Sequence, residues 1–129
     1  MSRPRNRYLG SYDSRPTRPL DLPFTVGNLR ALLQAGATGS GNPTHQQIAD
    51  WADRYVIALY LSDEPGPGGR EVGPDDLDID VAMDVWMQWD LSLINMYALP
   101  ELQSLNFAEV RMPEGWFEGW LARLGAPSS

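Results

Sequence analysis

Residues 74–100 read PDDLDIDVAMDVWMQWDLSLINMYALP, and two secondary structures compete for them. Every odd-numbered residue from Leu77 to Leu93 is apolar, the period-two pattern of a strand. Yet neither Gly nor Pro interrupts Asp75 to Leu99, as a long helix requires. On a helical wheel Ile79, Ala82, Val85, Trp86, Trp89, Leu93, Met96 and Tyr97 gather within about 120°. Periodicity therefore does not arbitrate. Length and composition do. A strand from Leu77 to Leu93 would be about three times the usual length and offers no residue on which to turn. Asp is poorly suited to strands, whereas Ala, Met, Leu and Gln suit helices. Asp75 and Asp76 follow Gly73-Pro74 and sit well at a helix start, where the dipole favours carboxylates. The expectation is a helix over 75–97.

That choice decides where the aspartates point. As a helix, Asp76, Asp80 and Asp84 are each four residues apart and form one acidic stripe, with Asp90 flanking it. Like charges at this spacing cost a few tenths of a kcal/mol per pair. No basic residue lies between Arg70 and Arg111 to relieve them. A solvated face accounts for such a stripe; so does a contact surface for Arg or Lys of a partner, or for the chain's own basic arm. Val81, Met87, Leu91 and Ile94 intrude on the same side. The helix is thus buried on two sides or covered by a partner.

Working outward, Thr25 is a good N-cap for a helix over 26–35, with Leu29, Leu32 and Leu33 as its apolar stripe and Gly36 to end it. Thr44 and Gln47 form a capping box opening a helix over 45–61. Asp50 and Arg54 are expected as an i,i+4 pair on its outer face. Residues 62–74 are a Pro/Gly/acid loop, and 101–112 a turn or short helix plus an extended piece. Pro113 suits the first turn of a last helix over 113–124, with Gly125 after it. These elements make a small all-α bundle of about four helices. Residues 24–125 form its single domain, 1–23 a basic Pro/Arg-rich arm and 126–129 a tail. The five tryptophans are expected to line a core between the second, third and last helices, with one or two free to anchor an interface.

Charge divides along the same boundary. The formal net charge is −7, yet residues 1–18 carry Arg3, Arg5, Arg7, Arg15 and Arg18 against one Asp. These arginines are the candidate arm contacts, to the body or to a neighbouring subunit, which makes the arm a route to homo-oligomerisation. The acidic body is expected to repel nucleic-acid phosphates and to favour basic partners. All ten basic residues are Arg, pointing to a GC-rich coding sequence of bacterial or phage origin.

Catalytic chemistry finds little purchase. There is no Cys, hence no thiolate nucleophile, disulfide or thiolate metal site. His45, the single histidine, is expected at the surface. Asp76-x-Asp78-x-Asp80 resembles the opening of a calcium loop, but Val81 and Met87 stand where Gly and a bidentate Glu are needed. No phosphate loop or nucleophile elbow occurs, and Gly115 and Gly119 form only an isolated G-x-x-x-G. No enzyme, cofactor or metal is expected. Without a membrane-length apolar run or a secretory h-region, the expectation is a cytoplasmic protein.

The order of elements is a Leu-rich helix LRALLQAG, a capped helix THQQIADWADRYV, a Pro/Gly/acid loop, a longer helix, and a last helix behind F-x-x-x-x-M-P. In outline over residues 26–124 this resembles the small all-helical bacterial immunity proteins of the colicin D-immunity type. The resemblance implies a cytoplasmic protein whose acidic surface plugs the basic active site of a nuclease toxin. It rests on pattern, so no functional residue carries over. The resulting expectation is a non-enzymatic acidic protein that offers Asp76, Asp80, Asp84, Asp90 and Met87 to a basic protein partner. The alternative is a phage or other assembly component whose basic arm docks on a neighbouring acidic subunit.

Overall fold

The computed structural model describes residues 14–61 and 76–125, and every regular element among them is helical. The contested segment is a helix. We number the helices α1 Val26–Thr38, α2 His45–Val56, α3 Leu77–Met96, α4 Leu99–Ser104 and α5 Glu114–Leu124. A π-turn, Ile57–Leu61, prolongs α2, and a 3-10 turn, Phe107–Glu109, precedes α5.

The odd-residue alternation in α3 has a simple origin. The helix is apolar on more than one side. Ile79, Val81, Ala82, Val85, Trp89 and Leu93 are buried, covering nearly half of the helix circumference. Val81, expected beside the acids, is buried as well. α3 packs chiefly against α2 and also against α5, while α1 packs chiefly against α5. Two helix pairs thus enclose one core. Asp76 is the N-cap, and its carbonyl accepts the Asp80 N–H, so the helix starts at Leu77 rather than 75. Tyr97 leaves the helical conformation, and Met96 is exposed rather than part of the core face.

Three tryptophans, Trp51, Trp89 and Trp120, are buried with Tyr55 and Phe117, whereas Trp86 and Trp116 sit half-buried at the rim. Trp51 and Tyr55 lie 5.2 Å apart, ring to ring, and Phe117 meets Trp120 edge-on at 5.2 Å. Such pairs add to the area they bury.

Both N-cap expectations hold. Asn28 N–H donates to Thr25 Oγ1 at 3.1 Å. Gln47 N–H donates to Thr44 Oγ1, and Thr44 N–H returns the bond to Gln47 Oε1. The end of α1 differs from expectation. Gly36 does not terminate it; the Phe117 ring occupies the space its Cβ would take. The helix runs on to Thr38 and ends at Gly39, whose φ of 73° is left-handed. Pro100 lies in the first turn of α4, where its missing N–H costs nothing.

Two further expectations are corrected. His45 is 1% exposed, because the segment leading to α5 roofs the start of α2. Met112 N–H donates to His45 Nδ1 at 2.7 Å, and the imidazole rests 4.7 Å from the Phe117 ring. Asp50 is buried too, since a strap covers it.

That strap is residues 14–25. It runs along α2 without regular structure, held by its backbone. Gln46 donates to the Ser14 carbonyl, Gln47 to Arg18, Trp51 to Leu22 and Arg54 to Leu20. Arg18 therefore contributes a carbonyl to α2. Arg3, Arg5 and Arg7, together with the loop expected over 62–74 and the tail expected over 126–129, lie outside the described residues.

Candidate functional site

The residues proposed from sequence as a partner surface divide into two groups. Asp80 and Asp84 face α5 and are held there. Arg123 reaches back from the last turn of α5, Nη2 to Asp80 Oδ2 and Nη1 to Asp84 Oδ2 at 2.7 Å. Trp120 Nε1–H donates to the same Asp84 oxygen at 2.8 Å. Burial disfavours the Asp84 anion, but the hydrogen bonds from Trp120, Arg123 and Gln88 outweigh it and hold the carboxyl below the ordinary range. Two of the three aspartates of the acidic stripe thus form an internal clamp between α3 and α5. Asp76 stands at the N-cap position without a side-chain capping bond and is not part of that clamp.

The second group faces outward. Met83, Met87, Leu91 and Ile94 recur at helical spacing and are each between 39% and 50% exposed. Asp90 lies among them, half-buried. Burial first, and then the nearby charge of Asp53, push its carboxyl above the ordinary range. Beside Met83 and Met87 a shallow hollow of about 190 Å³ opens against Asp53, Val56 and Trp86. Arg15 of the strap reaches two of these lining residues, Asp53 and Trp86. Its guanidinium pairs with Asp50 and with Asp53 and lies 4.9 Å from the centre of the Trp86 ring. Arg54 completes the Asp50 pairing at 2.9 Å.

A second depression lies on the other flank of α3. It is a groove of about 380 Å³ between α3 and α5, lined by Asp84, Gln88, Gly115, Trp116, Gly119, Trp120 and Arg123. The two glycines form an open floor: among the described residues, no atom outside the helix's own nearby backbone lies within 4 Å of the position either Cβ would take.

Sequence reasoning placed Met87 and Asp90 on an outward face, where they are. It set Asp80 and Asp84 on that face as well, without the clamp from Arg123 and Trp120. The signal for the clamp was present: Arg123 and Trp120 lie three residues apart on one side of an amphipathic helix. Nothing in the spacing fixed which acids they would meet.

Among the described residues no group of His, Cys, Asp or Glu is placed to hold a metal ion, and no helix is long and apolar enough to cross a membrane. The lone imidazole is buried, with Nδ1 accepting the Met112 backbone N–H. Comparison with family models, curated proteins and solved structures finds no match to this chain.

Proposed function

We propose that this chain is a non-catalytic protein-binding protein, immunity-like, that takes a basic amphipathic partner on the outward face of α3. One observation carries the reading. A helix apolar on more than one side is expected to be covered on each of them. α3 has its inner sector in the core, while Met83, Met87, Leu91 and Ile94 leave an apolar stripe open. Methionines suit such a surface because their unbranched side chains adapt to a partner. Asp76 and Asp90 lie along the same side, and the chain carries a net charge of −7, so a basic partner is favoured over an acidic one. A helix presenting apolar residues flanked by Arg or Lys would match both features.

A second reading, an assembly component, draws support from one contact. Arg15 of the arm already pairs with Asp50 and Asp53 of its own body. Arg3, Arg5 and Arg7 would use the same chemistry on a neighbouring subunit.

The test is co-expression with the basic proteins encoded beside this chain, followed by calorimetry on any stable pair. Met87→Glu with Leu91→Glu is expected to weaken binding at least tenfold at unchanged helicity. Equal affinity would refute the reading. Reversing Asp80 and Asp84 is not a clean probe, because it also breaks the clamp on α5.

A further inference from the structure

The groove between α3 and α5 serves neither the core nor the outward Met stripe, and it is costly to maintain. Mid-helix glycine is about 1 kcal/mol less favourable than alanine. Gly119 lies mid-helix in α5 and Gly115 in its first turn, and among the described residues the space above each is open. Alanine at either would improve the helix without meeting another atom. The glycines therefore keep the floor low. Trp116 and Trp120 stand beside it with ring centres 6.4 Å apart, Trp116 half-buried.

The polar end of the groove is electrostatically unbalanced. Asp80 and Asp84 share one guanidinium, that of Arg123, leaving a net negative charge at the mouth. Asp84 Oδ2 is saturated by Trp120 and Arg123, whereas Oδ1 receives only a long 3.4 Å bond from Gln88 Nε2. An accepting carboxylate oxygen thus adjoins an indole wall over a glycine floor.

The geometry points to a binding site for a cationic side chain, a guanidinium above all, carried by the basic partner. The flat cation would lie against Trp116, drawn to the negative face of the ring, and donate to Asp84 Oδ1 and, after an amide turn, to Gln88 Oε1. The glycine floor leaves room for the alkyl stem. This inference rests on the basic-partner reading for the source of the cation, but not for the site.

The experiment uses the full chain and a small probe, N-acetyl-arginine methylamide, with the neutral citrulline analogue as control. Indole N–H resonances of Trp116 and Trp120 report occupancy. Saturable shifts with a dissociation constant on the order of millimolar are expected for the arginine probe, at least tenfold weaker for citrulline. Gly119→Leu should fill the floor and abolish the shifts while the helical circular dichroism persists; Trp116→Ala should weaken them. Absent shifts, or equal shifts with citrulline, would overturn the proposal. So would groove resonances that move with protein concentration alone, because a second copy would then be the occupant. If the probe binds but the Met87/Leu91 variant keeps full partner affinity, the α3 reading fails and the groove stands. If partner affinity falls in that variant but the probe does not bind, only the groove is lost.

Discussion

Arg123 Nη1 meets Asp84 Oδ2 at 2.7 Å, tying the last turn of α5 to the middle of α3 across 39 residues of sequence. The pair is partly exposed, so its own worth is modest, in the range of 0–1 kcal/mol. Asp84→Ala should cost more than Arg123→Ala, about 2 kcal/mol against about 1, because it also removes the acceptor of the Trp120 indole. Urea denaturation of both single variants and the double variant checks this. A coupling below about 0.3 kcal/mol would mean that Trp120, not Arg123, is the partner that matters.

Acidification should destabilise the fold through His45. Burial, aided by the Arg111 charge, lowers its pKa from 6.5 to about 4. The unfolded chain therefore binds a proton between pH 6.5 and 4 that the folded chain does not. Stability is present in full above 6.5 and is lost as pH falls toward 4. From pH 7 to pH 5 this amounts to about 2 kcal/mol at 1.36 kcal/mol per unit. His45→Asn should be less stable at pH 7 but flatter between the two pH values in denaturant titrations. An equally steep profile would place the effect on carboxylates instead.

Glycine replacements should split by sign. Gly36→Ala pushes a methyl into the Phe117 ring, and overpacking of this kind costs about 1–3 kcal/mol despite the better helix propensity. Among the described residues, Gly115→Ala and Gly119→Ala meet nothing outside α5; mid-helix Gly119→Ala should stabilise by about 0.5–1 kcal/mol, and Gly115→Ala, in the first turn, by less. Thermal melts of the three variants separate a packing glycine from two groove glycines.

Removing the strap's anchor should expose what it covers. Arg15→Ala deletes both ion pairs to Asp50 and Asp53 and the cation above Trp86. Asp50 is only 2% exposed, so it would lose one of its two cations while still desolvated. A loss of about 1–3 kcal/mol is expected, with Trp86 emission shifting to the red. An unshifted spectrum would mean that the strap stays in place without its guanidinium.

Much of the fold was legible because its determinants are local. Thr25 and Thr44 cap helices by reaching residues three positions on, and the stripe Leu29, Leu32, Leu33 follows helical spacing. What escaped is long-range. Gly36 looks like a helix stop until Phe117 is brought against it. His45 looks solvated until Met112 arrives above it. Asp50 looks like the outer half of an ion pair until Arg15 closes over it. The acidic stripe shows the same limit: spacing puts Asp76, Asp80 and Asp84 in line, but only α5 separates a clamp from an open surface.

The strap along α2 is gripped by the carbonyls of Ser14, Arg18, Leu20 and Leu22, groups that every residue type possesses. Its hold is therefore nearly blind to what Arg18 and Leu22 are, whereas the Ser14 hydroxyl also receives the Trp89 indole and Leu20 packs against the core. The reading heads sit on α2. Related chains should let the strap drift in spelling while keeping Gln46, Gln47, Trp51 and Arg54. An engineer could change the strap's outward side chains between residues 18 and 22 and still find it fastened, provided Leu20 and the helix beneath are kept.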